Sequence, residues 1–120
     1  MKLESKKYLH VILFAISLIE EFMADIKSFG QYLKDTKTQS AVERQLGIIG
    51  EAVNKSDKID PENSLGNISQ IEGLRNRIIH AYESIDATVI WAIMQKYLPV
   101  SKEEAKQKIV KQYVIYSGLC

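Results

Sequence analysis

Cysteine, proline and unbalanced charge are all scarce in this chain, and each shortage removes a class of protein. One cysteine, Cys120, occurs among 120 residues. A lone cysteine closes no internal disulfide, and no Cys/His pair has zinc-ligand spacing, so neither a disulfide scaffold nor a zinc module is expected. A reducing cytoplasm is the expected setting. Two prolines and six glycines leave long segments without turn clusters, which favours helices over a sheet. The net charge of +1 is not the strongly basic balance of a nucleic-acid binder. Any such contact has to come from a local patch.

Long hydrophobic runs are missing as well. YLHVILFAISLI follows the lysines of MKLESKK and imitates a secretion signal. However, Glu4 lies in the would-be basic region, Glu20 and Glu21 follow the run directly, and no small-x-small cleavage site is visible. The run is too short to span a bilayer. A buried helix and no membrane association are expected. The 46% hydrophobic and 26% charged residues suit one globular domain with a single core, spanning residues 1–120.

Periodicity then places the helices. Leu9, Ile12, Ile16, Ile19 and Met23 recur at spacings of three and four, with Leu13 and Phe22 widening the stripe. They predict a first helix over roughly 4–26. So much apolar cover calls for two partners, either two helices or one helix and a second subunit. His10, among Tyr8, Leu9 and Val11, reads as structural. The short segment FGQYLKD and a polar stretch from Asp35 to Ser40 follow. Val42, Leu46, Ile49 and Val53 mark a third helix in TQSAVERQLGIIGEAVNK. Gly47 and Gly50 inside it, each costing roughly 1 kcal/mol relative to alanine, suggest close approach of another backbone or a close-fitting ligand.

SDKIDPENSLGN is turn-rich and irregular. A further helix starts near Asn67, with Gln70 as capping-box partner. Asp86 is positioned to cap the next, ATVIWAIMQKY, which is expected to stop at Leu98-Pro99. Ser101 and Glu104 form a capping-box pattern for the last helix. The fold class is therefore all-α, a bundle of about five helices.

Residues 74–86, LRNRIIHAYESID, carry the unusual chemistry. On a helix advancing about 100° per residue, Ile71, Leu74, Ile78 and Ile85 cluster on one face, the core stripe. Arg75, Asn76, Ile79, His80 and Tyr82 share a broad second face, and Arg77 points elsewhere. An isoleucine among an arginine, an asparagine, a histidine and a tyrosine suits the floor of a cleft better than open solvent. In a two-fold dimer such a face meets itself, doubling each histidine and arginine. Taken singly, a helical histidine or arginine is more often solvated than catalytic, and wheel geometry leaves both readings open. No metal-ligand set is present.

The string RNRIIHAY reads arginine, four residues, histidine, one residue, tyrosine. Together with RQLGIIGEAVNK before it and HAYESIDATVIWAIMQKYLP running on from it, it resembles the HepT-like toxins of the HEPN superfamily between Phe29 and Pro99. The segment SLGNISQIEG lacks the tryptophan often found there, a departure in the approach to the cleft. The resemblance implies a HEPN-type bundle dimerising through the motif-bearing helix. It implies a metal-independent endoribonuclease, the toxin of a type VII HEPN/MNT toxin–antitoxin system. Arg75 and His80 would be the catalytic pair, Asn76 and Tyr82 phosphate- or RNA-contacting or orienting residues, and Tyr82 also the residue that receives AMP. The implied partners are RNA, a MntA-type nucleotidyltransferase antitoxin and a second copy of the chain, with a larger hetero-oligomer left open. No cofactor and no metal is implied. The alternatives are a non-catalytic HEPN protein that binds a nucleotidyltransferase, and a purely structural dimerisation module.

The residue types fit that chemistry. RNA carries its own nucleophile, the 2′-hydroxyl. A histidine, with an ordinary pKa of about 6.5, moves a proton near neutral pH. An arginine stays charged and grips a phosphate through paired N–H donors.

Overall fold

A computed structural model of the chain describes residues 3–63 and 87–118, with side chains at 3–62 and 87–110. The described residues form five α-helices and one 3-10 turn: α1 (Leu3–Met23), α2 (Phe29–Lys34), α3 (Thr36–Ile59), the turn Pro61–Asn63, α4 (Ala87–Lys96) and α5 (Leu98–Gly118). No strand occurs among them. The all-α expectation holds.

The core follows the periodicity closely. Leu9, Ile12, Ile16 and Ile19 of α1 and Val42, Leu46, Ile49 and Val53 of α3 are all buried. Ile90, Ile93 and Met94 of α4, with Leu98 and Ala105 of α5, complete the cluster. α1 packs against both α3 and α5, which gives its broad apolar surface the two partners it needs. Lys102 on α5 reaches Glu20 on α1 at 2.8 Å across that second contact. Phe22 stays at the rim, 36% exposed. None of the described helices is long and apolar enough to cross a membrane.

Helix ends depart from the sequence expectation in four places, each with a local cause. α1 stops at Met23, short of residue 26. Ala24 N–H and Ile26 N–H turn back to the Glu21 and Met23 carbonyls, and the Lys27 ammonium covers the Ala24 carbonyl at 3.1 Å. The third helix begins at Thr36, two residues ahead of the expected Thr38, with Asp35 as its cap. Asp35 ends α2 by donating its N–H to the Tyr32 carbonyl, and begins α3 by accepting from Thr38 N–H at 3.0 Å. Gln39 then donates its side-chain amide to the Tyr32 and Leu33 carbonyls. These residues are polar because two abutting helix ends leave backbone groups that need partners.

At its other end α3 runs on to Ile59, beyond Lys55, since Ser56 is buried; Asp60 closes it with an N–H bond to the Ser56 carbonyl at 2.9 Å. The capping box at Ser101 is overturned. Ser101 N–H bonds the Tyr97 carbonyl at 2.8 Å, so Ser101 lies inside α5 rather than ahead of it. Pro99 falls in the first turn, where its missing N–H would have had no intrahelical partner anyway. The Leu98-Pro99 pair therefore opens a helix. The caps expected at Asn67 and Asp86 lie outside the described residues.

Gly47 is a further correction. A Cβ built there meets nothing within 4 Å among the described residues, so no backbone of theirs requires it to be glycine. Gly50 is buried.

Candidate active site

Arg75, Asn76, His80 and Tyr82, along with Ile79 and Arg77, lie outside the described residues. The structure describes the two ends that carry them. On the upstream side, the chain leaves α3 through buried Asp60 and the 3-10 turn Pro61–Asn63. On the downstream side it resumes as α4 at Ala87, five residues after Tyr82.

That return point is tightly held. Ile90 is fully buried, and Trp91 sits against two rings of α2: Phe29 at 5.7 Å and Tyr32 at 5.7 Å between centroids. A six-residue helix such as α2 has little stability of its own. It is held instead by its Ser28 cap, which accepts from Gln31 N–H at 3.2 Å, and by this aromatic contact. The helix that follows the motif is thus anchored through α2 and α3 to the main core.

Burial shapes the electrostatics beside this anchor. Burial, and secondarily the Glu43 carboxylate, push the Tyr32 hydroxyl up to about 12. Burial also raises the Glu43 carboxyl above its ordinary range. The Tyr32 hydroxyl has no hydrogen-bond partner among the described residues.

Two concave features are lined by described residues. One, of about 190 Å³, sits between the end of α1 and the α4–α5 junction; it is mostly apolar, and the Glu20–Lys102 pair stands at its edge. The other, of about 580 Å³, is an open groove between α1 and α3. Lys7, His10 and Phe14 line it from α1, and Arg44, Gln45 and Ile48 from α3. His10, expected to be structural, is exposed here instead. Sequence reasoning missed this groove, although Lys7, His10 and Phe14 stand three and four residues apart, on one helix face.

Comparison with known proteins bears directly on the motif. The model of the family described as Ribonuclease HepT-like matches residues 12–108, a stretch that contains Arg75 through Tyr82. The chain belongs to the HepT-like family. Among relatives of this HepT-like chain, a protein of Thermococcus cleftensis named probable ribonuclease HepT is 40% identical, over 85% of this chain and 93% of its own. A Methanocaldococcus jannaschii protein, whose name gives RNase as an inferred activity, is 34% identical over 90% of this chain and 89% of its own. A Caldanaerobacter subterraneus protein named in the same way is 31% identical over 89% and 96%. No solved structure matches the chain. The family assignment agrees with the helical bundle described above.

Proposed function

We propose that this HepT-like chain is a single HEPN domain over residues 1–120 acting as a metal-independent endoribonuclease in the cytoplasm. It is the toxin of a type VII HEPN/MNT pair. The observation that carries the reading is the family match over residues 12–108, supported by relatives named as ribonucleases that align over nearly their full lengths.

Arg75 and His80 are the residues assigned to chemistry. A base removes the 2′-hydroxyl proton, the 2′-oxygen bonds to the adjacent phosphorus, and the bond from phosphorus to the 5′-oxygen breaks. An acid returns a proton to that oxygen. The products are a 2′,3′-cyclic phosphate and a 5′-hydroxyl. His80 serves as base or acid, a role worth typically 10²–10⁴-fold in rate. The Arg75 guanidinium holds the phosphate oxygens as charge builds on them. Asn76, one helical turn from His80 on the expected motif helix, orients the imidazole or contacts RNA. Pairing of two motif helices about a two-fold axis doubles both catalytic groups at one cleft.

Tyr82 is the regulatory handle. Transfer of AMP from ATP to its hydroxyl by a MntA-type nucleotidyltransferase, with release of pyrophosphate, adds bulk and a phosphate charge beside Arg75. RNA is then excluded by size and by occupation of the arginine.

The deciding experiment is RNA cleavage in EDTA, wild type against His80→Ala. Metal-free cleavage that falls at least a hundredfold in the variant supports the reading. Equal cleavage by both would mark a contaminant and favour the second reading, a non-catalytic partner of a nucleotidyltransferase, with which the near-neutral net charge also agrees.

A further inference from the structure

We propose that the groove between α1 and α3 binds single-stranded RNA, as a second site made of residues outside the 74–86 motif. Lys7 and Arg44 would contact phosphates, and Phe14 would stack against a base. RNA as the ligand class rests on the ribonuclease reading above; the binding chemistry rests on the groove itself.

Charge is the first argument. Lys7, Arg44 and the His10 imidazole line the groove together, and none of the described residues that line it is a carboxylate. Elsewhere on the described surface, Lys55 meets Glu51 at 2.9 Å and Lys102 meets Glu20 at 2.8 Å. Lys7 and Arg44 have no such pairing among the described residues. A chain of nearly zero net charge thus has one concavity whose described lining carries cations without carboxylates, the local patch that nucleic-acid contact requires.

Shape and aromatic content are the second argument. Phe14 is 67% exposed in the same groove. A large ring left in water beside unpaired cations is the arrangement of a stacking platform: phosphates go to the charges and a base face goes to the ring. Lys7 and Phe14 are seven residues apart on α1, about 10 Å along the helix axis, and so address successive parts of an extended strand. His10 between them and Gln45 across the groove add hydrogen-bonding groups, and Val11, Leu18 and Ile48 form an apolar floor.

The same charges argue against a second copy of the chain as occupant. A two-fold contact centred on the groove would gather two Lys7 and two Arg44 side chains in one interface with no carboxylate from its described lining to offset them.

The test uses the full chain carrying His80→Ala, so that RNA survives, and a fluorescent single-stranded oligoribonucleotide followed by anisotropy between about 50 and 200 mM salt. Lys7→Ala and Arg44→Ala are each expected to reduce the slope of log affinity against log salt by about 0.7. Phe14→Ala is expected to weaken binding about tenfold with the slope unchanged. All three side chains are exposed, and circular dichroism verifies that the variants fold. Unchanged affinity and slope in all three overturn the proposal. So does a Phe14→Ala variant that binds RNA normally but sediments as a smaller assembly, since the groove is then a protein interface. Wild-type cleavage measured in parallel separates the two readings. Cleavage alongside groove-independent binding removes the groove alone, and groove-dependent binding without cleavage removes the nuclease reading alone.

Discussion

Trp91 on α4 rests against Tyr32 on α2, their ring centroids 5.7 Å apart and their planes at 45°. Tilted ring pairs at this distance add to the area they bury. The relationship matters because α4 is the first described element after the motif residues. Where the indole sits therefore sets where the chain re-enters the core. Trp91→Ala is expected to lower stability by about 2–3 kcal/mol, less than a fully buried indole would cost because Trp91 is only partly covered. Urea unfolding measures the change, and Trp91→Phe should retain most of it.

Tyr32 itself carries a liability. Its ring is fully buried, but its hydroxyl has no partner among the described residues. An unmet buried hydroxyl costs about 1–3 kcal/mol, so Tyr32→Phe should stabilise the fold by about 1 kcal/mol at neutral pH. The alkaline limb should change too. The folded-state value of about 12 lies above the ordinary 10.0, so the unfolded chain ionises first. Stability is then intact below about pH 10 and declines as pH rises toward 12, a decline that should be smaller in Tyr32→Phe. Equal alkaline limbs in melts of the two proteins would refute this.

Asp35 and Thr38 form the corner between α2 and α3. Besides accepting the Thr38 N–H, Asp35 accepts the Thr38 hydroxyl at 2.6 Å. The Thr38 side-chain bond, followed by its backbone N–H, holds the Asp35 carboxyl below the usual carboxylate range. The stabilisation is thus present above the unfolded-state pKa and lost as pH falls through the lower folded value. Asp35→Ala should reduce the melting temperature by a few degrees at pH 7, and the gap to wild type should narrow on acidification. Asp35→Asn, which can still cap, should lose less.

Gly47 offers a gain. It lies within α3, and no described residue comes within 4 Å of where a Cβ would stand. Gly47→Ala should therefore raise stability by about 0.5–1 kcal/mol, read as a higher urea midpoint. A loss would show that something covers this face, such as a second subunit.

For the motif, Tyr82→Phe separates catalysis from control. The variant should cleave RNA within a few-fold of wild type, and should gain no mass on incubation with a cognate nucleotidyltransferase and ATP. A gain equal to that of the wild type would remove Tyr82 as the acceptor.

Spacing alone determined the helical class and most of the core. Leu9, Ile12, Ile16 and Ile19, and Val42, Leu46, Ile49 and Val53, were legible because apolar residues at three- and four-residue intervals have one low-energy arrangement, a shared buried face. The family was legible because RQLGIIGEAVNK, RNRIIHAY and the stretch through ATVIWAIMQKYLP follow its pattern in order, and the family model matches residues 12–108. Helix ends were not legible in the same way. Ser101 with Glu104 looks like a cap, and Pro99 looks like a stop. Whether such residues begin, end or continue a helix depends on what the neighbouring backbone needs, as the Tyr97–Ser101 bond shows. Only tertiary structure decided that Lys7, Phe14 and Arg44 share a groove, since they come from two helices far apart in the chain. It also decided that Tyr32, on a helix too short to stand alone, carries the helix that follows the motif. Local periodicity reports which face is buried. What that face meets is a property of packing, set by all the helices at once.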